Sequence, residues 1–194
     1  MKLEDLRGRT IQEEKTGTNK KSAPKIDKVK RPFSEVLKEK ELGIIGRETE
    51  KCFLFDSSGS IILEKEGATD HINFTPSELM KFNDNTFTHN HPGGTSLSPA
   101  DIAVATTWNL KEIRAVGSQY KYSVVRPPQG WSRDDWDNTI KPAVDKYDFL
   151  VKQKFTKAIR DGELSIPDAE MRHWHEVWTR VSRELGLDYK RESW

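Results

Sequence analysis

The hydrophobic period of this chain changes once, at Pro127-Pro128, and that change limits the folds open to it. Before the two prolines, apolar residues come in short runs separated by turn chemistry. Glu50 to Asp56 and Ser60 to Leu63 flank Ser57-Ser58-Gly59, which predicts a β-hairpin. Thr86-Phe87-Thr88-His89-Asn90-His91 is a further β-rich run, halted by Pro92-Gly93-Gly94. Ile113 to Val116 and Tyr120 to Val125 predict two more strands around Gly117. Helix starts lie between these runs. Thr75-Pro76-Ser77-Glu78 and Ser98-Pro99-Ala100-Asp101 each pair an N-cap hydroxyl with proline at the first helical position and an acid at the third. Ser34 is expected to cap a short helix near the front. Strands alternating with helices make this part an α/β (α+β) core with a central sheet flanked by helices.

After the prolines the apolar spacing becomes three to four. Trp136, Ile140, Val144, Tyr147, Val151, Phe155 and Ile159 form one stripe, on a helix from about 134 to 160. Met171, Trp174, Val177, Trp178, Val181 and Leu185 form a second stripe after Pro167. Two such helices make an αα-hairpin whose stripes must be covered, by the core or by a partner protein. The expected organisation is a basic segment over 1–31, a core over 32–131 and a helical hairpin over 132–194. The 194 residues suit one core with appendages.

Residues 1–31 hold ten Lys/Arg against five acids and few apolar anchors, the pattern of a solvated leader. The excess could also serve non-specific contact with nucleic acid or an acidic partner, but without interleaved aromatics that signal is weak and a nucleic-acid partner is not expected. No stretch reaches the roughly 18 apolar residues of a membrane span, and Met1 to Thr10 lacks the apolar centre of a secretory signal. The single cysteine, Cys52, forms no internal disulfide, and the chain is expected to be soluble and cytoplasmic.

His89 and His91 stand two apart in a run of strand character, so both imidazoles leave the same face. A glycine loop then leads to Asp101 in the first turn of a helix. Two imidazoles and a carboxylate, with a fourth position left to water, form the ligand set of a catalytic zinc site. The same Asp101 also completes a capping box with Ser98, a role that needs no metal.

His89-Asn90-His91-Pro92-Gly93-Gly94-Thr95-Ser96-Leu97-Ser98-Pro99-Ala100-Asp101 resembles the signature of the JAMM (JAB/MPN) metalloprotease family, His-x-His-Pro, a short loop, then Ser-x-x-Asp. The wording is closest to bacterial and phage branches, RadC-like proteins among them, and covers roughly residues 45 to 126. Six residues separate His91 from Ser98, where many members have seven. The resemblance implies a JAB/MPN-like core, zinc on His89, His91 and Asp101, and hydrolysis of an amide in a peptide or protein, often an isopeptide bond to a ubiquitin-like C-terminus. It also implies an upstream glutamate as general acid/base. Glu50, just before the strand over Cys52 to Phe55, fits that place, with Glu48 two residues earlier as the runner-up. Ser98 takes the role of oxyanion donor. Competing readings are a catalytically silent scaffold of the same fold, RadC-like and nucleic-acid-associated, and a partner-binding module centred on the hairpin.

Other residues have plainer explanations. His173 and His175 are two apart on a helix, about 200° round it, and do not chelate one ion; Trp174 between them is expected in the core. His71 reads as a loop histidine and Cys52 as a buried small side chain. Trp131 and Trp136 are expected to pack the hairpin onto the core.

Overall fold

The computed structural model describes residues 31–132 and 134–194. The basic segment expected over 1–31 lies, apart from Arg31, outside the described residues.

The elements run α1 (Phe33–Leu42), β1 (Lys51–Phe55), β2 (Ile61–Glu66), α2 (Pro76–Leu79), β3 (Thr86–Asn90), α3 (Pro99–Thr107), β4 (Glu112–Val116) and β5 (Tyr120–Val125). A π-helical turn over Trp136–Ile140 then enters α4 (Lys141–Arg160), followed by α5 (Ile166–Leu185) and β6 (Asp188–Ser193). The strands form one mixed sheet in the order β2-β1-β3-β4-β5-β6. All neighbours are antiparallel except β3 and β4. Parallel neighbours need a crossover, and α3 supplies it. The architecture is α+β, with helices on both faces of the sheet.

Alternation along β1 sorts the two faces. Phe53 and Phe55 join Leu37, Ile44 and Val116 in a small cluster under α1. Cys52 and Leu54 point the other way, into the main core with Ile102, Leu110 and Ile113. A strand covered on both faces reads as a continuous apolar run, as Cys52 to Phe55 does. On the α1 face a buried ion pair fastens helix to sheet. Glu41, 2% exposed, accepts from Arg114 Nε and Nη2 and, at 3.0 Å, from Thr88 Oγ1.

The hairpin stripes are covered by the chain's own sheet. Ile140, Val144, Val151, Phe155, Val177, Trp178 and Val181 share one core with Cys52, Leu54 and Ile113. Trp178 is fully buried and donates its Nε1–H to Leu97 O at 2.7 Å. At about 2 kcal/mol for each large side chain removed from water, this stripe supplies much of the adhesion between hairpin and sheet.

Four local expectations are corrected. Pro32, not Ser34, precedes the first turn of α1, with no side-chain cap bond, and Ser34 lies inside the helix. α5 starts at Ile166 under a Ser165 cap, so Pro167 sits in its first turn rather than before it. Met171 is exposed, because it lies two residues from buried Ala169 and so about 200° round the helix. The tryptophan in the core is Trp178, while Trp174 is half-buried. β6 answers to no expectation from the sequence. No helix among the described residues is long and apolar enough to cross a membrane.

Candidate metal centre

β3 ends at Asn90, but His91 N–H still bonds Val116 O at 3.0 Å, so the extended path continues through His91. Both imidazoles therefore leave the sheet on one face, and their Nε2 atoms meet at 2.9 Å. A tight turn follows, closed by Gly94 N–H on His91 O at 2.9 Å with Gly94 at φ 69°. That turn brings Thr95 back under the ring of His91. Nδ1 of His91 donates to Thr95 O at 3.1 Å, which leaves Nε2 with its lone pair outward. Nδ1 of His89 is buried with no hydrogen-bond partner among the described residues, so Nε2 carries the ring's polar contacts.

Asp101 arrives on the first turn of α3. Its Oδ2 accepts from the Ser98 amide at 2.6 Å and the Ser98 hydroxyl at 2.8 Å, and its own N–H bonds Ser98 Oγ at 3.2 Å. Its Oδ1 lies 3.3 Å from His89 Nε2, and Oδ2 lies 3.5 Å from His91 Nε2. Capping and facing the histidines are thus compatible, because a carboxylate has two oxygens. Burial opposes ionisation of Asp101, but His89 and His91 outweigh it and hold the carboxyl well below its usual range.

Glu50 is 8% exposed and sits one residue before β1. Its backbone is pinned by Glu50 N–H on Ala68 O at 2.7 Å and Gly67 N–H on Glu50 O at 2.8 Å. Its Oε1 lies 4.0 Å from His91 Nε2. Burial raises its pKa, partly offset by His89 and His91. Glu48, the other candidate, is exposed to solvent.

One ligand atom each from His89, His91 and Asp101 lie within 4.8 Å of one another. Tetrahedral zinc with ligand bonds near 2.0–2.1 Å sets its donors about 3.3 Å apart. The Nε2–Nε2 separation of 2.9 Å and the His89 Nε2–Asp101 Oδ1 separation of 3.3 Å lie near that value, so the donor set suits such an ion in type and in approximate spacing.

These residues line a cleft of about 800 Å³. The cleft is also lined by the loop carrying Asp70 and His71 and, from the hairpin, by Lys152, Phe155, His173 and Trp174. His173 and His175 do diverge as their helical spacing requires. His173 Nε2 meets Asp148 Oδ1 at 2.7 Å, whereas His175 Nδ1 meets the Tyr189 hydroxyl at 2.8 Å. The place of His173 and Trp174 in the cleft wall was not anticipated. The available signal was their spacing of four and five residues from Ala169, which puts them near the same side of α5 as that buried residue. His71 pairs with Asp70, and both border the cleft. Cys52 is fully buried and its thiol is pushed up to about 12 by burial, which makes it a poor nucleophile. Trp131 donates to Leu110 O at 3.2 Å and packs, with Trp136, against the main core.

No family model, curated protein or solved structure matches this chain.

Proposed function

We propose that this chain is a zinc-dependent peptidase or isopeptidase of JAMM type, cleaving an amide in a peptide or protein, a ubiquitin-like conjugate included. The observation that carries the reading is the convergence of His89, His91 and Asp101 in the lining of one cleft, with the Glu50 carboxylate beside them. The ligand loop between β3 and α3, on a mixed sheet with helices on both faces, supports the resemblance of the core to JAB/MPN domains. Against a silent scaffold stands Glu50, a carboxylate 8% exposed and 4.0 Å from His91 Nε2, for which helix capping offers no use.

His89 Nε2, His91 Nε2 and Asp101 Oδ1 would hold the ion. When bound, zinc lowers the pKa of a water towards about 7 and polarises the scissile carbonyl. Glu50 accepts a proton from the attacking water as its oxygen bonds to the carbonyl carbon, then delivers that proton to the departing amine as the C–N bond breaks. Burial suits the task, because it makes the carboxylate a stronger base than an exposed one. The Ser98 hydroxyl, which donates to Asp101 Oδ2 at 2.8 Å, borders the cleft. Turned to the substrate, it stabilises the oxyanion by about 3 kcal/mol.

The test is zinc content and turnover on fluorescent casein and on a ubiquitin–lysine isopeptide reporter. Wild type should hold about one zinc per chain, His89→Ala should lose it, and Glu50→Gln should keep it while turnover falls at least ~100-fold. A metal-free wild type after purification without chelators, or a Glu50→Gln variant at the wild-type rate, overturns the proposal.

A further inference from the structure

The ligand loop is poorly equipped to hold its own shape. It contains Gly93 and Gly94, and glycine gives the backbone more freedom than any other residue. Yet Thr95 must stay under His91, and Ser98 must stay in place to cap α3 and aim Asp101. The bracing comes from residues far along the chain. Ser96 is fully buried, and its Oγ lies 2.8 Å from the Tyr189 hydroxyl on β6. The same hydroxyl lies 2.8 Å from His175 Nδ1 on α5. Burial, with Arg191 nearby, holds His175 down to about 4, so its ring is neutral and can accept a proton bond. The next loop residue, Leu97, gives its carbonyl to Trp178 Nε1 at 2.7 Å. A third strut acts through the β4–β5 turn. Trp194 Nε1 donates to Gly117 O at 2.8 Å, and Gly117 is pressed so closely on the loop that a Cβ there would stand 2.6 Å from Gly94 Cα.

We infer that Tyr189, with Trp178 and Trp194, positions the metal ligands, so that α5 and β6 form a brace of the metal centre as well as a cover for the sheet. The inference rests on the metal reading above. Tyr189 touches no ligand; it acts through Ser96, which lies midway between His91 and Asp101. A hydroxyl serving two partners fixes the Ser96 side chain, and with it the path from Thr95 to Ser98. Residues that orient ligands from behind in this way typically change metal affinity ~10- to 100-fold when altered.

The deciding experiment uses the full chain and removes one oxygen. Tyr189→Phe keeps the ring beside His175 and deletes only the bridge. Zinc affinity, read by competition with a chromophoric chelator, should fall about tenfold or more, and the visible spectrum of the cobalt-substituted chain should change with it. Ser96→Ala should produce a similar loss, and the double variant should bind no more weakly than the weaker single, since both remove one connection. Leu37→Ala, under α1 on the opposite face, lowers the thermal midpoint but should leave zinc affinity unchanged. Wild-type affinity and spectrum in Tyr189→Phe overturn the brace while the metal reading stands. An equal loss of affinity in Leu37→Ala also overturns it, because general loosening then accounts for both. A wild-type chain that binds no zinc overturns the metal reading and the brace together.

Discussion

Replacing Trp178 by phenylalanine tests how firmly the hairpin is tied to the sheet. The indole is fully buried, and its Nε1–H donates to the Leu97 carbonyl at 2.7 Å. Phenylalanine keeps the bulk of the apolar ring, so the variant should still fold. It loses roughly 40 Å² of buried surface, or about 1 kcal/mol at 25 cal/mol per Å². It also strands the Leu97 carbonyl inside the core, which costs about 1–3 kcal/mol. The sum is about 2–4 kcal/mol. In urea unfolding of the full chain, with a slope near 2 kcal/mol per M, the midpoint should drop by about 1–2 M with the slope unchanged. A loss below about 0.5 kcal/mol would refute the reasoning, since either the bond contributes nothing or the core closes over the gap without cost.

Glu41→Ala should cost about 3 kcal/mol in the same assay, the low end for breaking a buried ion pair, because Arg114 keeps Glu112 at 2.6 Å; a loss under ~1 kcal/mol would mean that α1 is held by packing alone. Glu78 should give acid-dependent stability. Hydrogen bonds from the Lys65 ammonium and the Thr75 amide hold its carboxyl at about 2 instead of 4.5. A depressed folded pKa stabilises above the ordinary value and loses that contribution as pH falls through the folded one. The stability advantage of wild type over Glu78→Gln should therefore shrink between pH 4.5 and about 2, and parallel pH curves would refute it.

What was legible in the sequence was local. The capping boxes at Thr75 and Ser98 depend on groups three residues apart, and both form as their residue types require. His89, His91 and Asp101 converge because strand alternation and one short loop carry them there. Asp101 was open between capping and ligation when judged from spacing alone, and in the structure its carboxylate caps α3 while facing both imidazoles. β6 was hidden for the opposite reason. Asp188-Tyr189-Lys190-Arg191-Glu192-Ser193 has one half-buried side chain and no apolar alternation, and its strand state comes from pairing with β5, more than sixty residues away. The contact of Tyr189 with the loop, and that of Trp194, just past β6, with the β4–β5 turn, were hidden with it. Trp174 and Trp178 share one stripe in the sequence, and only the packing of α5 decides which is sealed in the core and which borders the cleft.

The two outermost strands say something about the company this protein keeps. A sheet edge offers unpaired amides and carbonyls to any passing strand, and exposed charge is the common guard against that. β2 runs Ile61-Ile62-Leu63-Glu64-Lys65-Glu66 and β6 carries Asp188, Lys190, Arg191 and Glu192, so mixed charges cover half of one border and most of the other. A neighbouring copy approaching edge-on would have to strip water from those side chains before any backbone bond could form. Those charges oppose growth of the sheet from molecule to molecule at either border.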